Sequence, residues 1–504
     1  MRVFEILLLA AQVLTLLILS VPRWRSTAWL RVSASVAMLI GVAQILAEGP
    51  RWQLMPVYAL TAFLCCISML AHGAAAGGPC RVRHWTWLSL GIGLPWLALS
   101  IALPLCVPVF RFPTPSGPYP IGTLTYHWID PTRSEAWAAD APSRRELMAQ
   151  VWYPASANPK LRRAAYLPDA AAVTAAFARI LGQPAFLFGH FKYVMSNAML
   201  AAPPAIDQPS FPVLLFLEGA TGFRQMNTYQ VEHLVSHGYI VVALDQPGVA
   251  AVVVFPDGRQ AASLTLAQFQ PVVRPSYMPG LTDPPVGGLP QPGGKPPAQT
   301  SIVPYLARDV SFALDRLTAM NQADPAGILA GKLDLQRVGA FGVSLGGIVV
   351  GEACRLDPRL RACLMMDAPA AISVVQAGLK QPSMWITRDA ASMRLERRRA
   401  GGWPEAEIEA HQTSMRAAYE ALSGAGYFVR VPGTFHSNFT DVPNWTPLAS
   451  ILGLAGPINA QRAHRIVNAC SLAFFDRELR GRAAQLLDVP SMLYPEVLFE
   501  SRRP

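Results

Sequence analysis

Apolar residues crowd one end of this chain. Four nearly charge-free runs, at about residues 4–22, 29–47, 54–73 and 86–110, each approach the ~20 residues a helix needs to cross a bilayer core. Tryptophans 24, 29, 52, 85 and 87 stand at the edges of these runs, where an aromatic belt forms. A cleaved signal peptide is the alternative for the first run. No small-x-small site follows Leu19-Ser20-Val21, however, and three more runs come after it. Beyond residue 110 the pattern changes to short strand-like runs separated by helical stretches. Gly122–Trp128 and Leu147–Tyr153 read as strands, the second with the period-two alternation of a half-buried one. Val213–Leu217, Ile240–Leu244, Val338–Phe341 and Ala362–Met366 are almost wholly apolar, as parallel strands buried on both faces are. Met384–Ile386 and Tyr427–Val431 add two more, and residues 303–320 read as a helix. This alternation predicts an open α/β sheet with helices on both faces.

Two stretches interrupt the rhythm. Residues 154–210 are rich in alanine, and residues 255–300 are loaded with proline and glycine. Both are placed where a lid could cover an apolar pocket; a tolerated surface insertion is the alternative for the second. The chain is thus divided into a membrane region, 1–110, and an α/β domain, 111–504, joined by the stiff Pro-rich segment that begins at Arg111.

Composition strengthens the membrane reading. The chain is 52% hydrophobic and only 15% charged, with a mean hydropathy of +0.28, too apolar for an ordinary soluble enzyme. Arg23, Arg25 and Arg31 mark the first loop, and Arg81, Arg83 and His84 the third, as cytoplasmic. With four spans, everything after residue 110 is then extracytoplasmic, which in a bacterium means periplasmic. The seven cysteines form no evident disulfide framework. A Cys354–Cys363 bridge and buried free thiols at Cys354, Cys363 and Cys470 both fit the spacing. No cysteine–histidine spacing points to zinc and no G-x-G-x-x-G follows a strand, so neither a metal nor a cofactor is expected. A net charge of +10 is modest for 504 residues, and no nucleic-acid partner is expected. Arg394, Arg397, Arg398 and Arg399 make one dense basic cluster, either a solvated helix face or a contact for anionic head groups.

The candidate chemistry centres on Gly342-Val343-Ser344-Leu345-Gly346, directly after an apolar strand. G-x-S-x-G in this setting is a nucleophile elbow, a sharp strand-to-helix turn that exposes one serine hydroxyl. A serine needs a histidine base, and the histidine needs a carboxylate to fix its tautomer. In α/β-hydrolases the order along the chain is Ser, Asp or Glu, then His. Of nine histidines, six precede the serine or lie in the membrane region, and His411 and His464 sit in helical, polar surroundings. His436 remains, in a loop after a strand. Two carboxylates fit the acid: Asp367 after the strand that follows the elbow, and Asp389 after the next strand. Position alone does not separate them. The backbone N–H of Leu345 and that of Ala220, with Gly219 second, are the oxyanion-hole candidates.

Taken together, these stretches resemble the platelet-activating-factor acetylhydrolase family of the plasma and intracellular type-II kind, with its bacterial relatives. The likeness rests on Phe211–Phe216 leading into Gly219-Ala220-Thr221-Gly222-Phe223-Arg224, on Ser236-His237-Gly238-Tyr239-Ile240-Val241, on the elbow, and on Gly433-Thr434-Phe435-His436-Ser437-Asn438-Phe439-Thr440-Asp441. It covers roughly residues 117–480. The resemblance implies an α/β-hydrolase fold, metal-free ester hydrolysis, and Asp367 rather than Asp389 as the acid. Glu218 and Val343 depart from it, standing where the family usually has histidine. The reading is therefore a membrane-anchored serine ester hydrolase acting on lipid-like or hydrophobic esters, phospholipid-like ones among them, with the bilayer as its partner. An acyltransferase on the same triad and a non-catalytic membrane sensor are the alternatives.

Overall fold

The computed structural model describes residues 1–21, 27–74, 79–136, 143–158, 160–278, 301–488 and 493–503. The chain forms two compact units. One comprises Met1–Phe110, Phe186–Tyr193 and Trp445–Leu448; the other comprises Arg111–Ala185, Val194–Asn444 and Ala449–Pro504.

In the first unit, α1 (Val3–Ser20), α2 (Thr27–Glu48), α3 (Met55–Ala74) and α4 (Pro79–Cys106) pack against one another in chain order, with α4 also against α1. Their outward side chains are apolar and bare: Leu39 and Leu46 are 69% and 82% exposed. That is the inverse of a soluble bundle and suits a lipid surround. Polar groups turn inward, and several of them are paired. Gln12 donates to the Val57 carbonyl at 2.6 Å and to the Thr61 hydroxyl at 2.8 Å. Buried Arg51 binds Glu5 at 2.8 Å and the Val107 carbonyl at 3.0 Å, drawing together the helix ends at one end of the unit. Three helical stretches, Val3–Ser20, Ala28–Glu48 and Trp52–Leu70, are long and apolar enough to cross a membrane. Four were expected. Among the described residues the fourth helix contributes the shorter apolar stretch Leu90–Cys106. Arg23, Trp24 and Arg25 lie outside the described residues, as do the side chains of residues 71–89.

The second unit is built on an eleven-stranded sheet. Its strands are β1 (Ile121–Ser134), β2 (Arg144–Pro154), β3 (Arg163–Ala165), β4 (Met195–Leu200), β5 (Phe211–Leu217), β6 (Ile240–Asp245), β9 (Leu333–Val343), β10 (Leu360–Met366), β11 (Ser383–Thr387), β12 (Gly426–Arg430) and β13 (Leu498–Arg502), with β7 (Val252–Val254) and β8 (Gln260–Ala262) as a separate hairpin. The spatial order is β13-β12-β11-β10-β9-β5-β6-β2-β1-β4-β3. The central six, β12 through β6, are all parallel, and β2 and β13 flank them antiparallel. Every residue of β5 and β6 is buried, as a sheet covered on both faces requires. Alternate side chains serve opposite layers. Val213, Leu215 and Leu217 pack with α8 (Val303–Gln322) and α9 (Leu345–Leu356), while Phe216 meets Phe341, which in turn meets Phe475 of the helix Ala460–Arg480 on the other face. Gly339 makes room there, since a Cβ would lie 2.9 Å from the Phe475 ring.

The insertion 154–210 is not a loop. It supplies β3, β4 and α5 (Ala170–Ile180), and its residues 186–193 belong to the helical unit. In the second insertion, the described part forms β8 and α7 (Leu266–Val273), between which Thr265 caps the helix. Residues 279–300, including the Pro284–Gly288 stretch, lie outside the described residues. Cys354 and Cys363 form a disulfide between α9 and β10, and Cys470 is a buried free thiol.

Candidate active site

Sheet register creates the site. Leu217 pairs with Gly342, and Val343 pairs with Met366, so β5, β9 and β10 end side by side. The three loops that leave them carry Ala220, Ser344 and Asp367, at the carboxyl edge where open α/β sheets place ligands. Ser344 takes φ +56° and ψ −125°, a conformation strained for any residue with a Cβ. Two glycines permit it. A Cβ on Gly346 would lie 2.1 Å from the Leu217 carbonyl, and one on Gly342 would lie 2.5 Å from Gly346. The Ser344 N–H is held by the Met366 carbonyl at 2.9 Å, and α9 begins at Leu345.

The loop after β5 closes on the serine; a Cβ on Gly219 would sit 3.0 Å from Ser344 Cβ. Thr221 at φ +62° and Gly222 donate their N–H groups to the Val249 and Gly219 carbonyls. Among the described residues no backbone carbonyl takes the N–H of Ala220 or of Leu345, and both residues line the cavity at Ser344. Glu218, fully buried behind this loop, accepts weakly from Gln246 N–H at 3.5 Å. Burial, with Asp245 beside it, pushes its carboxyl well above the usual range. It packs against Gly222 and serves as a wall of the loop.

Asp367 leaves β10 with φ +43° and is fully buried. Its Oδ1 accepts from Thr387 Oγ1 at 3.0 Å and from Arg388 Nε at 3.0 Å. Its Oδ2 meets His436 Nδ1 at 2.5 Å. Burial alone would raise this carboxyl. The Arg388 guanidinium and the His436 hydrogen bond outweigh it and hold Asp367 well below the carboxylate range. His436 stands in the loop after β12. That loop turns at Gly433, with φ +78°, and is fastened by Asn438, whose Oδ1 accepts the N–H groups of Phe435 and Gly456, each at 2.7 Å. Asp441, at the loop's end, accepts the first N–H groups of α6 (Thr228–Ser236) at 2.9 and 3.0 Å, so the histidine loop is tied to the oxyanion-side segment. Asp389, the rival acid, instead caps α11 (Ala390–Ala400), accepting the Ser392 N–H at 2.8 Å.

Ser344 and His436 face one cavity of about 300 Å³. Its apolar wall includes Phe269 and Val273 of α7, Ile348 of α9, and Trp403, whose ring lies 5.1 Å from that of His436. At another side, Arg274 pairs with Glu407 at 2.5 Å. Part of the Pro/Gly-rich insertion therefore does line the cavity, through α7.

No protein-family model matches the chain. It is 23% identical over 319 residues to platelet-activating factor acetylhydrolase of Cavia porcellus, across 59% of this chain and 65% of that protein's length. An Arthroderma benhamiae protein described as a probable 1-alkyl-2-acetylglycerophosphocholine esterase is 25% identical over 307 residues, across 58% of this chain and 67% of its own. A ferulic acid esterase from Streptomyces cinnamoneus superposes with a TM-score of 0.58 at 28% sequence identity, covering 77% of this chain and 99% of that one. The fold is that of the α/β-hydrolases.

The α/β-hydrolase unit also places residues here that the sequence reading passed over. His411, set aside as part of a polar helix, lies on α12 (Glu405–Glu420) and lines the cavity, with its ring 5.8 Å from Trp403. Burial pushes its imidazole down to about 3, so it is neutral. Arg388 lies fully buried against Asp367, and Glu396 of α11 accepts the His436 backbone N–H. Arg388 directly precedes Asp389, the rival acid, and its place after a buried strand was the one available signal. Nothing in the sequence marks Trp403 or Glu396.

Proposed function

We propose that this chain is a serine ester hydrolase, with Ser344 as nucleophile, His436 as general base and Asp367 as its acid partner. The observation that carries the reading is the 2.5 Å contact between Asp367 and His436 in a cavity that also exposes the strained Ser344. Asp367 keeps the proton of the imidazole on Nδ1, leaving Nε2 free to accept. As Ser344 Oγ attacks the ester carbonyl carbon, Nε2 takes its proton, and the carbonyl oxygen becomes an oxyanion. The N–H groups of Ala220 and Leu345 receive that charge. Collapse of the tetrahedral intermediate breaks the bond to the alkoxy oxygen, which takes the proton from His436 and leaves as alcohol. Water, deprotonated by the same nitrogen, then attacks the acyl-enzyme; the bond to Ser344 Oγ breaks, Oγ takes the proton back from His436, and the carboxylic acid is released.

The substrate class follows from the cavity. About 300 Å³ is at the low end of the ~300–1,000 Å³ of small-molecule sites, and its walls are aromatic and aliphatic. It favours esters with a compact acyl group over those with long chains, in line with the acetyl and aromatic acids in the names of the similar proteins. The apolar helices support attachment to a membrane. The Cys354–Cys363 bridge supports an α/β-hydrolase unit outside the reducing cytoplasm.

The test is a series of p-nitrophenyl esters, from acetate to palmitate and including a feruloyl ester, with wild type and Ser344→Ala. Wild type should prefer acyl groups of roughly two to eight carbons or the single-ring acid, as a cavity at the small end of the range implies. Ser344→Ala should lose about 10⁴-fold or more in kcat. Equal turnover by both proteins would refute the mechanism.

A further inference from the structure

A closed ring of groups surrounds the candidate base. The His436 ring bonds Asp367, Asp367 bonds Arg388, Arg388 pairs with Glu396, and Glu396 accepts the His436 backbone N–H at 3.2 Å. Four elements meet in it: the ends of β10, β11 and β12, and α11. Arg388 is fully buried, with its guanidinium carbon 4.4 Å from the Trp403 ring centre, and its Nη2 has no hydrogen-bond partner. Burying a guanidinium costs several kcal/mol unless charge partners offset it. Orienting a histidine needs only one carboxylate, so the cation calls for a separate explanation.

Charge counting provides one. Asp367 alone would present one negative charge to the imidazolium that forms during catalysis. Arg388 cancels that charge, and Glu396 restores it when ionised; burial pushes the Glu396 carboxyl up, and Arg388 and His436 pull it only part of the way back. We propose that Arg388 and Glu396 are positioning residues: Arg388 locks the Asp367 carboxylate so that Oδ2 faces His436 Nδ1, and Glu396 anchors the His436 main chain and supplies the negative charge that sets the pH at which this base works. This rests on the serine-hydrolase reading. The other titratable groups facing the same cavity are His411 on α12, the Arg274–Glu407 pair and Tyr277.

The test measures the pH dependence of Ser344 labelling by a fluorophosphonate, with the full chain in nanodiscs. Glu396→Gln keeps the size and the acceptor oxygen but removes the charge. Its acid-limb midpoint should fall by about 0.5–1 pH unit, because an imidazolium that loses a nearby anion gives up its proton more readily. Arg388→Lys keeps the charge but loses the planar fork. Its plateau rate should drop about 10-fold or more with the midpoint moved by less than about 0.3 unit. Glu405→Gln, at an exposed carboxylate paired with Arg394 and Arg397, should change neither value. An unmoved or raised midpoint in Glu396→Gln, or an Arg388→Lys plateau within about twofold of wild type, overturns the proposal. Near-UV circular dichroism checks each fold, and if one variant does not fold the other decides. Wild type that fails to label would defeat the hydrolase reading itself, which is a separate outcome.

Discussion

Replacing Asp367 by asparagine changes one atom, and the structure specifies what that atom does. Two donors point at Oδ1, Thr387 Oγ1 and the Arg388 N–H at 3.0 and 3.4 Å, and Arg388 Nε straddles the carboxylate at 3.0 Å from Oδ1 and 2.8 Å from Oδ2. Asparagine has one carbonyl oxygen, and these donors claim it. The new NH₂ group must then take the place of Oδ2 and face His436 Nδ1, where two donors cannot coexist. The imidazole responds by moving its proton to Nε2, so the nitrogen that should accept from Ser344 carries hydrogen instead. A wrong tautomer of this kind costs about 10⁴ in kcat, or about 5 kcal/mol of transition-state stabilisation. The assay is kcat/KM on a short-chain fluorogenic ester, with circular dichroism to confirm the fold. Asp389→Ala is the companion. It should leave kcat within about twofold and cost about 1 kcal/mol of stability, because that carboxylate caps α11. A loss below about 30-fold in Asp367→Asn, or a larger loss in Asp389→Ala than in Asp367→Asn, would refute the assignment.

Two further outcomes test the surroundings of the site. Burial raises the Glu232 carboxyl to about 7, against which the Asn197 N–H and Nδ2 bonds at 2.6 and 2.7 Å act only in part. The folded state therefore binds a proton that the unfolded state has released above ~4.3, so stability falls as pH rises from there towards 7, by about 2–3 kcal/mol. Glu232→Gln should remove that slope, and its Tm advantage over wild type should be larger at pH 8 than at pH 5; an equal difference at both would contradict it. The Cys354–Cys363 bridge closes a short loop, with a sequence separation of 9, and Cys354→Ala/Cys363→Ala should lose about 2–3 kcal/mol by thermal shift without altering KM. An unchanged Tm would show that the bridge adds no stability.

Much of this protein is set by periodicity alone. Runs apolar on both faces could be satisfied only inside a covered parallel sheet, and those of β5, β6, β9 and β10 are where the pattern put them. The turn at Ser344 was legible because it needs Gly342 and Gly346 at fixed offsets, and the place of His436 in a loop after β12 because few histidines follow a strand. Polar β13 and the short β3 and β4 were not legible, since strands at or beside a sheet edge lack the apolar signature and take their identity from the neighbours they pair with. The four apolar runs became four helices, and among the described residues three of them carry a stretch long and apolar enough to span a bilayer.

The choice between Asp367 and Asp389 shows where sequence stops. Each follows a buried strand, and each is an aspartate before a helix. Only the register of β9 against β10, and the path of the loop that carries His436 back across the sheet, brings one carboxylate to the imidazole and leaves the other capping a helix. Local pattern determined which residues were available at the carboxyl edge of the sheet. Long-range packing decided which of them meet, because a hydrogen bond of 2.5 Å between residues 69 positions apart depends on every strand between them.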